Sequence, residues 1–399
     1  MSFLLIIWII LQISIGYNLV LPFLLWFAWR ISGRKSLANA NGAVIVAEAD
    51  YAIIVTAYEQ TQSLSAVVDS ILKMDYLNYI VYIVADKCDV SNLQFTDPRV
   101  IVLRPPVVLG SNTASHRYAI NNFIRDHERL TIIDSDNVLH TDYLNQLNLS
   151  FNKGFIAVQG LRMAKNTDTT IACLDSARDI FYHFYDGRVL FDLGSSATLA
   201  GSGMAFTKGY YQDFLKQHQV DGAGFDKVLQ NYIVSRGDRI AFNELAIVYD
   251  EKSSKSEQLV NQRSRWINTW FKYFSYGFAL VRKGVSSGSL NQFLFGMTLL
   301  RPPLFIFLLL SILFLLFNLW FAPLVSVLWI LGMLLFVLSF FIALKSSDTP
   351  AIIYRSLSRI PTFMFHQVIS LIKSRNANKA SVATLHYHSD GILNAKKQE

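Results

Sequence analysis

The chain has 399 residues, of which 52% are hydrophobic and 16% are charged, and its formal net charge is +7. This composition is too apolar for an ordinary soluble enzyme. A membrane protein that faces anionic lipids accounts for the positive charge, and no aromatic–basic repeat favours a nucleic-acid partner. The two cysteines, Cys88 and Cys173, are too few for a disulfide framework or for a metal site of their own.

The first 29 residues carry no charged side chain, and the first charge is Arg30. As a helix they would reach about 43 Å at ~1.5 Å per residue, so we predict a transmembrane helix at residues 1–30. A signal peptide is the competing interpretation, because "ANA" at 38–40 resembles a cleavage site. The apolar run is too long for that, and the charges of Arg30, Arg34 and Lys35 follow it, which places the next region in the cytoplasm.

Residues 31–270 are the size of one α/β domain. Strand-like runs alternate with stretches of helical spacing, which predicts a parallel, doubly wound sheet. The predicted strands are 51–60, 79–89, 100–106 and 130–136, and the predicted helices are 63–74 and 113–126. Ligands of such sheets bind at the carboxyl ends of the strands, where this chain has the polar segments "TAYEQ", "ADKCD" and "DSD". Neither G-x-G-x-x-G nor G-x-x-x-x-G-K-[ST] follows the first strand, which argues against dinucleotide and P-loop sites.

Asp134 and Asp136 stand one residue apart at the end of a predicted buried strand. Two carboxylates there repel each other and lose solvation, so a positive partner should offset that cost. A D-x-D pair supplies hard oxygen ligands for Mg²⁺ or Mn²⁺, which would also hold phosphate oxygens. By itself the motif is as often an ordinary surface loop.

The second uncharged stretch, residues 302–344, is long enough for two further spans within 301–345, with a turn near 318–323. We expect residues 271–300 to be interfacial and the tail, 346–399, to be cytoplasmic. Within that tail, 350–375 has an amphipathic pattern, which predicts a helix on the cytoplasmic leaflet with a kink at Pro361. The expected location is the plasma (inner) membrane, with several passes.

Several motifs in this order resemble the membrane-bound family 2 glycosyltransferases, the group of cellulose, chitin and hyaluronan synthases. "QRSRW" (262–266) matches their Q-x-x-R-W, and the resemblance covers about residues 50–270 and the layout of membrane segments. The other matching segments are "VTAYEQ", "VADKCD", "IIDSDNVLHTDYL", "GSGMAF" (201–206) and "AIVYDEK" (246–252). The resemblance implies a GT-A type domain that binds a nucleotide sugar.

The resemblance also implies roles for individual residues. Thr56, Ala57, Tyr58 and Glu59 would bind the donor nucleotide, with Tyr58 and Glu59 flanking the uracil, and Asp86 would bind the base or ribose. Asp136 would hold the metal, while Asp134 would contact the metal and the donor's ribose or sugar. Gln262 and Arg265 would contact diphosphate, Trp266 would line the acceptor entrance, and Gly201, Ser202 and Gly203 would face the acceptor. Arg265 and Trp266 could instead be a cation–π packing pair.

The family's catalytic base falls on Asp226 in "GFDKVLQNYIVSRG" (224–237), where the family has E-D. Phe225 replaces the family's Glu, and we expect this to raise the pKa of Asp226 by burial. Asp226 could otherwise be a helix N-cap. A second departure is His116 and Arg117, which stand where the family has Lys and Gly.

The implied activity is an inverting transfer from a UDP-sugar, with Mg²⁺ or Mn²⁺, that forms β-linkages. The leading interpretation is extension of an extracellular or capsular polysaccharide at the membrane. Alternatives are a single transfer to a lipid acceptor and an inactive scaffold of the same fold. The expected partners are the donor, a growing glycan or lipid acceptor and membrane lipids, with no nucleic acid. Because three spans are few for a channel, an additional membrane subunit is a further expectation.

Overall fold

The computed structural model of the protein describes residues 3–33 and 48–377. Arg34, Lys35, the segment 38–40 and the end of the predicted tail lie outside these ranges.

The described residues form one mixed sheet with helices packed against it. Its strand order is β3-β2-β1-β4-β7-β6-β8-β5. The strands are β1 (Tyr51–Tyr58), β2 (Tyr79–Asp86), β3 (Val100–Leu103), β4 (Arg129–Asp134), β5 (Val138–Leu139), β6 (Ala157–Ala164), β7 (Met204–Thr207) and β8 (Ile240–Asp250).

Most of this sheet is parallel, as the sequence predicts, and β6 pairs in parallel with β8 in addition to the first four strands. The strands β1 to β4 pair in parallel, and the inner ones are apolar and buried on both faces, as parallel sheets require. Two strands that the sequence pattern does not single out run the other way: β7 is antiparallel to β4 and β6, and β5 is antiparallel to β8. The helical segment 170–192 connects β6 to β7.

Helices cover the sheet and continue beyond it. They are α1 (Phe3–Ser32), α2 (Leu64–Leu72), α3 (Asn112–Asn121), α4 (Tyr143–Asn152), α5 (Thr170–Tyr182), α6 (Leu190–Asp192), α7 (Lys208–Gln217), α8 (Phe225–Ser235), α9 (Ser256–Tyr273), α10 (Tyr276–Ser287), α11 (Leu290–Leu300), α12 (Leu304–Phe321), α13 (Pro323–Ser346), α14 (Ala351–Ser356) and α15 (Ile360–Lys373). A π-helical segment, His183–Val189, joins α5 to α6, and Gly187 in it lies against the Phe242 ring, 2.8 Å from where a Cβ would stand.

Within the described residues, α1, α12 and α13 are long and apolar enough to cross a membrane. They pack on one another around Gln12, whose side-chain oxygen accepts hydrogen bonds from Asn318 Nδ2 at 2.6 Å and Trp329 Nε1 at 3.0 Å. Where α12 meets the sheet domain, the buried Arg301 guanidinium forms a two-pronged ion pair with the Asp186 carboxylate of the π-helical segment. The apolar helices are therefore fixed to the globular part by a paired charge.

The segment 350–375 is helical but breaks before Pro361. A single 3₁₀ turn, Leu357–Arg359, separates α14 from α15, and Pro361 lies in the first turn of α15, where its missing N–H costs nothing. The predicted kink is therefore displaced to the preceding turn. The buried polar side of α15 faces α9: Ser264 Oγ donates to Ser370 O at 3.0 Å, and Asn268 Nδ2 donates to Ser374 O at 2.9 Å.

Candidate active site

The D-x-D loop and the glycine loop 201–203 are joined by hydrogen bonds. The backbone N–H of Asp134 donates to Ser202 Oγ at 3.0 Å, and Ser202 Oγ in turn donates to Asn137 Oδ1. Asn137 Nδ2 then donates to Asp136 Oδ1 at 3.2 Å. Asp136, Asn137 and Ser202 are buried, whereas Asp134 is half-buried. The metal-side and acceptor-side residues that the resemblance implies therefore form one unit.

Backbone contacts fix the glycine loop at this edge of the sheet. Gly203 N donates to Ile132 O at 2.9 Å, and Gly160 N donates to Gly203 O at 2.8 Å. Gly203 has φ +67°, and a Cβ there would lie 3.0 Å from Val248 Cγ2. Only glycine meets both conditions without strain.

The three strand ends predicted to meet do lie side by side. In the sheet register Thr56 pairs with Asp134, and Tyr58 pairs with Asp86. Ala57 lies between them on β1. Glu59, at φ +60°, is the turn that follows, and its carboxylate pairs with Lys87 Nζ at 2.6 Å.

The buried Asp86 carboxylate already holds backbone groups. Its two oxygens accept from Leu109 N at 3.0 Å and from Gly110 N at 2.8 Å. These bonds tie the loop after β3 to the end of β2. A nucleotide that contacts Asp86 would therefore also lie beside residues 109–110, which the sequence motifs do not single out.

A buried cation, Arg162 on β6, lies near enough to the D-x-D pair for the charges of that pair to act on it. Its guanidinium donates to Ala200 O at 2.7 Å and pairs with Asp250. Burial by itself would lower the pKa of Arg162, but the surrounding carboxylates hold it above its ordinary range. In order of effect these belong to Asp250, Asp179, Asp134 and Asp136. The chain itself thus supplies part of the positive charge that two adjacent carboxylates need.

A buried charge network leads from Arg162 to the "QRSRW" helix. Lys252 Nζ lies 3.0 Å from Asp250 Oδ2 and 2.5 Å from Asp179 Oδ2. Asp179 also pairs with Arg178. Burial would lower the pKa of Lys252, and the charges of Asp179 and Asp250 outweigh it and raise that pKa. The network therefore keeps its cations protonated inside the domain.

The cation that packs on Trp266 is Arg263, two positions before the motif's own arginine. Arg263 pairs with Asp175 on α5, and its guanidinium lies 3.9 Å from the Trp266 ring centroid. Arg178 also contacts that ring, at 4.7 Å. Burial, aided by the charge of Arg178, lowers the pKa of Arg263 to about 10. Trp266 therefore packs on Arg263 and Arg178, two cations that the motif spacing does not point to.

The other residues of the motif differ in exposure. Burial lowers the pKa of Arg265, which is half-buried. Gln262 Oε1 is buried and accepts no hydrogen bond in the described part of the chain. The Trp266 side chain is 38% exposed, as a residue at an acceptor entrance would be.

Asp226 lies in the first turn of α8, which is docked on the glycine loop. Lys227 Nζ pairs with the Asp226 carboxylate at 3.1 Å and also donates to Leu199 O at 3.3 Å. Gln230 Oε1 accepts from Leu199 N at 3.1 Å. Two side chains of α8 therefore hold the segment that leads into Gly201–Gly203, so Asp226 and the acceptor loop form one assembly.

Phe225 does not cover Asp226. Its ring is buried and lies edge-on to His116, with the centroids 5.2 Å apart, while the Asp226 side chain stays 18% exposed. Burial also lowers the pKa of His116 to about 3, so His116 is a neutral core residue there. The replacement of the family's Glu by Phe225 fills the core beneath the site.

Other carboxylates near this edge are occupied. Glu244 pairs with Arg188 at 3.0 Å, and Asp250 pairs with Arg162 and Lys252. Asp221 is exposed on a separate cleft. Asp226 also pairs with Lys227, so its distinction among these acids is its position on the helix that holds the segment before the glycine loop.

The donor set suits a small divalent cation together with a diphosphate. In the described ranges no three His, Cys, Asp or Glu side chains converge as a complete metal site. Two carboxylates with the remaining positions left to phosphate oxygens and water are what Mg²⁺ prefers. Asp134 and Asp136 would hold the ion.

A family model described as "Glycosyltransferase like family 2" matches residues 49–269. The chain belongs to this glycosyltransferase family. The sheet, the D-x-D edge and the predicted recognition motifs all lie within the matched range, so the enzyme class that the sequence predicts is confirmed. No curated protein matches the glycosyltransferase.

Solved structures share the fold at low sequence identity. Mannosyltransferase PcManGT from Pyrobaculum calidifontis, in complex with GDP-Man and Mn²⁺, is 12% identical, with TM-score 0.52 over 90% of this chain and 98% of that one. S. aureus TarS is 14% identical over 55% of this chain and 39% of its own, with TM-score 0.35. A TarS fragment, residues 1–349 with UDP, gives TM-score 0.37 over 64% of its length. The fold of this glycosyltransferase is of the GT-A type.

Proposed function

We propose that this glycosyltransferase moves a hexose from a UDP-sugar to an acceptor hydroxyl with inversion, and that it extends a β-linked polysaccharide at the cytoplasmic face of the plasma membrane. The observation that carries the proposal is the hydrogen-bonded unit of Asp134, Ser202 and Asn137, on which α8 with Asp226 is docked. Donor and acceptor groups are thereby held at fixed positions.

The donor would lie along the ends of β1, β2 and β4. Thr56, Ala57, Tyr58 and Glu59 would flank the base, and Asp86 with the amides of residues 109–110 would limit the site. Asp134 and Asp136 would hold Mg²⁺ or Mn²⁺, which supplies positive charge to the diphosphate. The Mn²⁺ bound to PcManGT supports the use of a divalent cation here. Because PcManGT binds GDP-Man, the experiment below compares GDP-mannose with UDP-sugars as donors.

In the transfer step the acceptor hydroxyl attacks C1 of the donor sugar from the face opposite the diphosphate. The new C1–O bond forms as the bond to the diphosphate breaks, and Asp226 takes the hydroxyl proton. Arg265 and Gln262 would contact the departing diphosphate, which carries away the electron pair. One displacement inverts C1, so an α-linked donor gives a β-linkage.

The acceptor would approach past Gly201–Gly203 and Trp266. A growing glycan is the leading acceptor, with another membrane subunit completing a channel. Single transfer to a lipid acceptor is the second candidate. It is favoured by the direct packing of α1, α12 and α13 through Gln12, Asn318 and Trp329.

An inactive scaffold of this fold is disfavoured. Asp134, Asp136 and Asp226 are all present. Hydrogen bonds join the D-x-D loop to the glycine loop, and they join the segment before the glycine loop to helix α8, which carries Asp226. Chains that keep only the fold have no need of this arrangement.

The deciding experiment uses the purified full-length protein in lipid nanodiscs with radiolabelled UDP-glucose, UDP-N-acetylglucosamine, UDP-galactose, UDP-glucuronate and GDP-mannose. We expect metal-dependent UDP release with one UDP-sugar and a product that lengthens with time. A lipid-soluble product of fixed size would support the second candidate. Turnover with GDP-mannose alone would show that the donor nucleotide is GDP and not UDP. No release of a nucleoside diphosphate from any donor would contradict the proposal.

A further inference from the structure

A separate cleft of about 370 Å³ opens between the loop 217–221, helix α8 and the elbow from α9 to α10. Its volume is in the lower part of the range of small-ligand sites, about 300–1,000 Å³. None of the predicted donor or metal residues lines it. The cleft is therefore a distinct feature of the surface.

The outer wall of the cleft is a polar loop that the fold holds in place. Ser111 Oγ and Thr113 Oγ1 donate to Val220 O at 2.8 and 3.1 Å, and Val220 N donates back to Thr113 Oγ1 at 3.3 Å. The neighbouring side chains Gln219 and Asp221 are exposed. A wall anchored in this way does not have to be ordered by its ligand.

The inner wall is aromatic. The rings of Tyr273 and Tyr276 stack with their centroids 5.7 Å apart and their planes 30° apart. In the described part of the chain neither hydroxyl is used in a hydrogen bond, so both can serve a ligand. Lys272 beside them is the cleft's one lysine, with its ammonium 5.0 Å from the Tyr273 ring centroid.

We propose that this cleft binds a segment of the acceptor glycan, as neutral sugar rings. This inference rests on the proposed function, because it names where the acceptor of that reaction is held. Aromatic faces suit the C–H faces of pyranose rings, and the amides of Gln217 and Gln219 can donate to and accept from hydroxyls. The Asp221 carboxylate would repel a phosphate group, so a phospholipid headgroup fits the cleft less well than a neutral sugar does.

The cleft adjoins the helix that carries the proposed base. The Tyr273 ring packs on Gly224, where an added Cβ would lie 2.6 Å from Tyr273 Cε2. Asp226 is two residues further on, within the same helical turn. A glycan whose reacting end is at Asp226 could therefore continue into the cleft.

The opposite side of the elbow faces away from the cleft and is apolar. Phe271 is 51% exposed and Phe278 is 61% exposed, and neither lines the cleft. This distribution gives the elbow one side suited to lipid and one suited to sugar. It also provides a matched control, since Phe278 is an exposed aromatic residue near Tyr276.

The test measures binding of β-1,4-linked tetrasaccharides of glucose and of N-acetylglucosamine to the full-length protein in nanodiscs, without donor, by saturation-transfer NMR. Tyr276→Ala should weaken binding at least about tenfold, because it removes the stacking surface, whereas Tyr276→Phe keeps the ring, loses only the hydroxyl and should weaken binding less. Phe278→Ala should bind like wild type. UDP binding on the same samples shows that the variants are folded.

Equal binding by wild type and Tyr276→Ala would overturn the proposal, as would no saturable binding of either tetrasaccharide at millimolar concentration. Vesicles of phosphatidylglycerol provide the competing case: if Lys272→Gln weakens vesicle binding and the sugars do not bind, the cleft is a lipid site. Sugar binding in a protein that releases no UDP from any donor would support the cleft and contradict the proposed function. The two inferences therefore fail separately.

Discussion

The Ser202 hydroxyl accepts a hydrogen bond from the backbone N–H of Asp134 and donates one to the Asn137 side chain. A single buried hydroxyl thus joins the D-x-D loop to the loop that would receive the acceptor. Ser202→Ala leaves a buried donor and a buried acceptor unpaired, which should cost about 1–3 kcal/mol of unfolding free energy. We also expect kcat to fall, because Asn137, which donates to Asp136, loses the hydroxyl that orients it.

Ser196→Ala is the matched control for this prediction. Ser196 is also buried and donates to Asn291 Oδ1 at 2.8 Å while accepting from Ile240 N at 3.1 Å, away from the D-x-D loop. Thermal unfolding in nanodiscs should show similar losses for the two variants, and UDP release should fall only in Ser202→Ala. Parallel losses of activity would show that Ser202 acts through stability alone.

Asp136→Asn should abolish metal-dependent turnover while the protein still reaches the membrane in normal amount. The substitution keeps the size of the side chain and removes one of the two carboxylates that would hold the cation. Asp69→Asn, at an exposed position on α2, is the control and should keep wild-type activity. UDP release is measured with Mg²⁺, with Mn²⁺ and with EDTA, and wild-type turnover in EDTA would remove the metal from the mechanism.

The first four strands of the sheet and their functional edge can be predicted from the sequence, because the information is local. The strands β1, β2 and β4 are apolar runs that carry Thr56, Asp86 and Asp134 at or near their carboxyl ends. The carboxyl ends of neighbouring parallel strands must meet.

The other half of the site depends on contacts between residues far apart in the chain. Arg162 lies on a strand that Gly160 interrupts, and its partner Asp250 is 88 residues away. Motif spacing points to Arg265, whereas the cation on Trp266 is Arg263, held there by Asp175 on another helix. No pattern within a short window contains such pairs.

The buried Asp250 predicts a dependence of stability on pH. Burial alone would raise its pKa, but the charges of Arg162 and Lys252 hold it below its ordinary value. Its contribution is therefore fully present above the unfolded pKa of about 3.9 and is lost as the pH falls through the lower folded pKa. Asp250→Asn should cost about 3–5 kcal/mol near neutral pH, because two buried cations lose a partner.

Asp213→Asn provides the comparison for Asp250, since Asp213 pairs with Lys216 on the surface at 3.1 Å. Its effect should be at most about 1 kcal/mol. Unfolding midpoints between pH 3 and 7 should show a shallower acid loss in Asp250→Asn than in wild type. Equal slopes would mean that Asp250 is not the titrating group.

The proposed topology can be tested by cysteine labelling. After Cys88→Ser and Cys173→Ser, single cysteines are introduced by Asp213→Cys, Lys373→Cys and Leu324→Cys, all at exposed positions. A membrane-impermeant maleimide applied to intact cells should label only Leu324→Cys, which lies at the start of α13, and should label all three after lysis. Labelling of Asp213→Cys in intact cells would place the catalytic domain outside.

Asp226→Asn tests the base, which is the residue carried over with the largest departure from the family motif. The variant keeps the size of the side chain but cannot take a proton at pH 7, so transfer should slow by ~10²–10⁴-fold. Nucleotide affinity should change little, because the proposed donor contacts come from β1, β2, β4 and α9. Asp221→Asn is the control, because Asp221 is an exposed acid of the separate cleft. Its loss should raise the acceptor KM. The rate at which UDP is released when water replaces the acceptor should not change. Near-normal transfer by Asp226→Asn would mean that the base is another acid, to be sought among Asp221, Glu244 and Asp250.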